Sequence, residues 1–160
     1  MSEWQPPRET PHVGINNWND ALGLVIDEVT DDRVRAHLDA GPRHQQPYGV
    51  LHGGVWCSIV EEAASIGAGM RSINRDGRGV LGVSNHTDFL RSHGEGRLDV
   101  VAEPLHAGRS AQLWEVRICR ASDGKLVARG QVRFHVLDEL PGERQERIGS
   151  DRERTEPRPE

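Results

Sequence analysis

Cysteine is scarce in this chain of 160 residues. Cys57 and Cys119 stand far apart, with no Cys-x-x-Cys pair. That excludes a disulfide framework and a thiolate metal knuckle, and it fits a reduced, cytoplasmic setting. The eight histidines show no His-x-x-x-His or Cys–His spacing, so no metal is expected. No apolar run approaches the ~20 residues of a membrane span. The first ten residues, MSEWQPPRET, lack a basic region followed by an apolar run, so no signal peptide is expected. A large excess of one charge is missing too. The net charge of −5 favours neither nucleic acid nor an anionic membrane as partner. Hydrophobic residues make up 35%, less than a compact domain usually holds, so polar tails are expected to dilute a smaller folded body. No internal repeat is visible.

The ends supply those tails. Residues 1–16 carry Pro6, Pro7 and Pro11 with mixed charge and read as a flexible arm. Residues 138–160 are rich in Glu, Arg and Pro and read as a disordered charged tail. Residues 17–137 form one domain in this reading. Asn17 to Ala21 is expected to make a short helical turn. Leu22 to Val29 and Arg33 to Leu38 alternate apolar and polar residues about Asp31-Asp32, as a hairpin does. A helix is expected over Val55 to Met70, with Val55, Ile59, Ala63 and Ile66 at helical spacing. The turn cluster Asn74 to Gly79 follows it. Four strands complete the order: Val80 to Leu90, Leu98 to Leu105, Gln112 to Arg120 and Leu126 to Leu137. Ser122-Asp123-Gly124-Lys125 is the hairpin turn between the last two. A helix that is apolar on several sides predicts burial all round inside an antiparallel sheet. This pattern supports an α+β class with a single buried helix.

The most informative stretch is Gln46 to Ser65, QPYGVLHGGVWCSIVEEAAS. Gln46-Pro47-Tyr48-Gly49 reads as a loop. His52-Gly53-Gly54 then opens the helix. The first N–H groups of a helix lack an intrahelical partner, and the helix dipole makes that end electropositive. An N–H at Gly53 could therefore polarise a carbonyl and stabilise an oxyanion. Further along, Glu61 and Glu62 are adjacent carboxylates about 100° apart around the axis. Glu61 shares its face with Cys57 and Ser65. The alternative to catalysis here is a solvated or ion-paired helix carboxylate, and the pattern alone does not choose between Glu61 and Glu62.

Gly53 and Glu61 are about 12 Å apart along the axis, at ~1.5 Å per residue. One chain cannot bring both to the same carbonyl. Two antiparallel copies of the helix can, and a symmetric homodimer supplies them.

Gly49-x-x-His52-Gly53-Gly54, with Glu61 nine and Ser65 thirteen residues after the histidine, resembles the hot-dog-fold acyl-CoA thioesterases. Gln46, six residues before the histidine, matches as well. The likeness is greatest to the branch with the hydroxybenzoyl-CoA, phenylacetate-pathway and dihydroxynaphthoyl-CoA enzymes. It spans roughly residues 22 to 137. The resemblance implies a hot-dog fold, a curved antiparallel sheet wrapped around one long central helix. It implies hydrolysis of an acyl-CoA thioester, by preference an aryl one, to the free acid and coenzyme A. No cofactor is implied, since coenzyme A is part of the substrate.

The resemblance also assigns roles. Gly53 N–H and Gln46 polarise the thioester carbonyl, and His52 orders the loop and helix start. Glu61 of the opposing subunit attacks the carbonyl or activates water, and Ser65 supports it. His106, Gly108, Arg109 and Ser110 correspond to a coenzyme A-binding segment, and Arg91 is expected to add to the same basic patch. The partners implied are the acyl-CoA substrate and further copies of the chain, as a homodimer or a dimer of dimers (a homotetramer). Two other readings stand beside this one. A non-catalytic acyl-CoA sensor needs no carboxylate. A hot-dog hydratase or dehydratase uses an Asp and His pair, for which Asp88 and His93 are the candidates.

Overall fold

The computed structural model describes residues 18–138. The expected arm (1–16) and all but the first residue of the expected tail lie outside the described residues. Within them the order is α1 (Trp18–Leu22), β1 (Val25–Val29), β2 (Val34–Ala40), a 3-10 turn (Pro42–His44), α2 (Gly53–Asp76), β3 (Val80–Phe89), β4 (Gly96–Ala107), β5 (Ala111–Arg120) and β6 (Leu126–Val136). Two strands, one long helix and four strands is the order read from the sequence.

Most boundaries shift by a residue or two, as at β2, β4 and the start of α2, and two further differences have a clear cause. Leu22 closes α1 instead of opening a strand. Gly23 then turns the chain at φ 72°, and its N–H donates to Asn19 O at 2.8 Å. A left-handed glycine is a usual helix stop, because it lacks the Cβ that makes this region costly. The second difference is α2, which runs past Met70 to Asp76. Its polar last turns are tied to the β1–β2 loop. Arg71 Nη1 donates to Asp31 O at 2.6 Å, and Asn74 Nδ2 donates to Asp31 Oδ1 at 3.0 Å. Gly77, at φ 68°, ends the helix.

The strands form one antiparallel sheet in the order β1-β2-β4-β5-β6-β3. α2 connects β2, near one edge, to β3 at the other. It therefore has to cross the sheet, and it packs against every strand. The curved sheet around a long helix is the expected α+β hot-dog architecture.

The core lies between them. From α2 come Trp56, Ile59, Val60, Ala63, Ala64 and Ala68. From the sheet come alternate residues: Val34, Ala36 and Leu38 on β2, Leu98, Val100 and Ala102 on β4, Trp114, Val116 and Ile118 on β5, Val132 and Phe134 on β6. Full burial of each larger side chain stabilises by about 1.5–3 kcal/mol. The small residues of α2 let the helix lie close: a Cβ at Gly67 would sit 2.5 Å from the Trp114 ring. In the single chain α2 is buried on one face only. Cys57, Ser58, Glu61, Glu62 and Ser65 on the other flank are half-exposed, which corrects the expectation of burial all round. The sheet curls about α2 without closing over that flank.

Candidate active site

The start of α2 is built by the loop before it. Gly49, at φ 75°, donates its N–H to Gln46 O at 3.0 Å, and the Gln46 side chain accepts from Tyr48 N–H at 2.7 Å. His52 N–H donates to the carbonyl of the buried His44 at 2.9 Å. His52 is the N-cap of α2, and its Nδ1 accepts from Gly54 N–H at 2.9 Å. Val55 N–H donates to His52 O. Two of the first three helix donors are thus consumed by one histidine. Among the described residues none accepts from the Gly53 N–H. Gly53 lines a cleft of about 220 Å³ with Leu51, Trp56, Phe89, Leu90 and Arg91. The Phe89 ring lies over it, so a Cβ at Gly53 would meet the ring at 2.9 Å.

Glu61 lies two turns further on, and β3 holds it. Asn85 Nδ2 donates to Glu61 Oε2 at 2.9 Å, while Ser65 Oγ donates to Oε1 at 3.3 Å. Opposite Oε1 is Gly82, where a Cβ would come within 2.9 Å of the oxygen. Gly82 and Asn85 are three residues apart, so on a regular strand they would face opposite ways. A bulge between Gly82 and Ser84 adds one residue against β6 and turns both toward the same carboxylate. Glu61 lines a second cleft, of about 350 Å³, with Trp18, Cys57, Ser58, Glu62 and Asn85.

The adjacent carboxylate has a different environment. Glu62 is bonded by Asn19 Nδ2 of α1. Burial pushes its pKa above the ordinary 4.5. The Asn19 bond opposes that rise, and the neighbouring Glu61 adds to it. The two clefts share no lining residue, so one chain keeps the Gly53 N–H and the Glu61 carboxylate apart.

The expected coenzyme A residues do not form one patch within a chain. Gly108 lies in the β4–β5 hairpin, with its N–H on Ala111 O at 2.9 Å. It lines a narrow pocket with Arg71, Ser72 and Arg75, at the C-terminal end of α2. His106 stands beside it: a Cβ at Gly108 would lie 2.7 Å from His106 Nε2. Arg109 and Ser110 are exposed in the same hairpin. Arg91 is at the other end of the helix. It donates to Leu126 O at 2.6 Å and lines the Gly53 cleft. Within one chain Arg91 does not meet Arg109, because β3 runs back toward the start of α2. The Asp–His pair of the hydratase reading is not assembled either. Asp88 accepts from Arg129 Nε at 3.3 Å, and the buried His93 donates to Gly96 O at 3.1 Å. Both are held structurally.

Asn85, Gly82 and Trp18 were not singled out from the sequence. The available signal for Asn85 was an amide on the strand after the helix; its meaning depends on the bulge. Among the described residues, no helix is long and apolar enough to cross a membrane, and no cluster of three metal-ligating side chains occurs.

This is the hot-dog fold, and comparison with known proteins agrees. The thioesterase superfamily model matches residues 48–127. Rv1847 of Mycobacterium tuberculosis, which carries only the provisional name of an esterase, is 47% identical over 122 residues, covering 75% of this chain and 86% of that protein. Its structure superposes with a TM-score of 0.73 over 77% of this chain and 98% of the other, at 45% identity. The proofreading thioesterase EntH of Cronobacter sakazakii is 34% identical over 97 residues, 61% of this chain and 69% of that protein. Thioesterase HI1161 of Haemophilus influenzae has a TM-score of 0.70 at 28% identity, over 77% of this chain and 84% of the other. The chain belongs to the thioesterase superfamily and is a thioester hydrolase.

Proposed function

We propose that this thioester hydrolase cleaves acyl-CoA thioesters, aryl ones by preference, in sites shared by two copies of the chain. The observation that carries the reading is Glu61, fixed by Asn85 and Ser65 at a cleft separate from the one holding the uncommitted Gly53 N–H. Each chain offers half of what the reaction needs. A second copy, with α2 antiparallel, brings Glu61 to the opposing Gly53. Support for that copy comes from β3, at the edge of the sheet, where Leu81, Val83 and Phe89 are 58%, 55% and 53% exposed. Exposed apolar side chains on an edge strand are ordinarily covered.

In this mechanism the thioester carbonyl oxygen accepts from Gly53 N–H, which faces the charge that develops on it. Glu61 then either attacks the carbonyl carbon, expelling the coenzyme A thiolate and leaving an anhydride for water to open, or takes a proton from water that attacks directly. Both routes end in the free acid and the coenzyme A thiol. Gln46 adds to the carbonyl contact, and His52 keeps the Gly53 donor available by occupying its neighbours. Arg109, Ser110, Gly108 and His106 receive the coenzyme A arm. Trp18, Trp56 and Phe89 offer aromatic walls for an aryl acyl group. No metal or redox cofactor enters the scheme.

The test is free-thiol release from a panel of aryl- and alkyl-CoA thioesters, wild type beside Glu61→Gln. The expected result is turnover greatest on aryl thioesters and lowered by at least about 10³-fold in the variant, the scale of losing a covalent or base catalyst. Full activity in Glu61→Gln overturns the mechanism and points to Glu62.

A further inference from the structure

We propose that Thr87, acting through Asn85, is a positioning residue for Glu61. The inference rests on Glu61 being the reacting carboxylate. Its basis is a chain of contacts running from β6 through β3 to α2.

Asn85 Nδ2 has two acceptors. One is Glu61 Oε2 at 2.9 Å, and the other is Cys57 O at 3.1 Å. Neither can donate, so only one orientation of the amide satisfies both. Rotated by half a turn, the amide would present its oxygen to two other oxygens and push the carboxylate away. The opposite end of the amide is held as well. Thr87 Oγ1 donates to Asn85 Oδ1 at 2.7 Å. Residues two apart on a strand share a face, so this contact follows directly from strand geometry. The two acceptors fix which way the amide faces, and the Thr87 hydroxyl, bonded to its other end, fixes where it sits, so the NH2 group is held against Glu61.

Thr87 in turn needs room, and Gly130 supplies it. The two are directly paired in the β3–β6 register. A Cβ at Gly130 would lie 2.8 Å from Thr87 Oγ1 and 2.7 Å from Val60 Cγ1 of α2. A larger residue at 130 would drive the hydroxyl from its place. Gly130, Thr87, Asn85 and Glu61 thus form one line of contacts, in which Asn85 touches the reacting carboxylate and Thr87 acts on it only through Asn85.

The full-length protein is assayed by thiol release on the panel thioester that wild type cleaves fastest. The readout is kcat and KM for Thr87→Val, Thr87→Ser and Glu61→Gln. Valine matches threonine in shape and suits a strand, so the fold is retained; should it be lost, Thr87→Ala carries the same test. Thr87→Val is expected to lower kcat by about tenfold, because small misplacements of a reacting group cost up to about 10². KM should stay within about twofold, since substrate binding is not the step affected. Thr87→Ser keeps the hydroxyl and should recover most of kcat. If Glu61→Gln is inactive while Thr87→Val keeps full kcat, the positioning role is overturned and the reading of Glu61 stands. If Glu61→Gln is fully active, that reading falls and takes this inference with it. Equal losses in Thr87→Val and Thr87→Ser also count against the hydroxyl.

Discussion

A Cβ on Gly82 would lie 2.9 Å from Glu61 Oε1. The glycine is there to leave space for a carboxylate, since its backbone has no positive φ to require it. Gly82→Ala keeps the strand and presses on the free end of a flexible side chain. The carboxylate has to move from Asn85 and Ser65, which hold it at 2.9 and 3.3 Å. We expect kcat to fall by about ten- to a hundredfold, with the melting temperature unchanged or slightly raised. Steady-state kinetics beside thermal melting checks this, and an unaltered kcat counts against it.

Glu62 gives a dependence of stability on pH. Burial is the main cause of its raised pKa, against the opposing Asn19 bond. A carboxyl with a raised folded pKa binds its proton more tightly when folded. Its ionisation therefore costs stability as pH rises from the ordinary 4.5 through the raised folded value, and the full cost is present above it. Glu62→Gln removes that cost and can still accept from Asn19. The variant should melt higher than wild type at pH 7, by about one to a few degrees. The difference should shrink toward zero below the ordinary value. A difference that is the same at pH 4 and pH 7 would refute the linkage.

The shared site predicts complementation. Pro at the first helical position suits α2, because His52, at φ −65° and ψ 139°, already has the backbone that proline demands before it. Gly53→Pro removes the N–H, although the Phe89 ring has to swing aside. Gly53→Pro and Glu61→Gln should each be inactive. Mixed after unfolding and refolding together, they should regain up to about one quarter of wild-type activity, since half the dimers are mixed and each has one intact site. Sedimentation should show at least twice the 17.8 kDa of one chain. Inactive mixtures with confirmed exchange of chains would exclude the two-copy site.

Much of the fold could be read from the sequence because each element carries its own period. β2 buries Val34, Ala36, Leu38 and Ala40 and turns Arg35 and Asp39 outward, as strict alternation requires. The end of α2 was harder. Asn74 and Asp76 are turn formers by composition, but contacts from Arg71 and Asn74 to Asp31, some 40 residues away, extend the helix. Only the tertiary contact reveals that. The site divides in the same way. Gln46, His52, Gly53, Glu61 and Ser65 lie within 20 residues of each other, and the helical period relates Glu61 to Ser65. Asn85 reaches Glu61 only through the β3–β6 register and the bulge, which the period of two does not foresee. The place of Arg91 was hidden for a similar reason, because strand direction, and not residue type, sends it to the start of α2.

That bulge changes what insertion and deletion mean along β3. Gly82 and Ser84 stand against consecutive residues of β6, which makes the exposed Val83 the surplus residue. Removing Val83 restores regular alternation and still leaves Gly82 and Asn85 on one face. Removing a residue between Asn85 and Phe89 does not: it reverses one of the two relative to the other, separating the anchor of Glu61 from the aromatic over Gly53. Loss of the surplus residue before Asn85 is therefore tolerable, whereas loss of a residue between Asn85 and Phe89 is disabling.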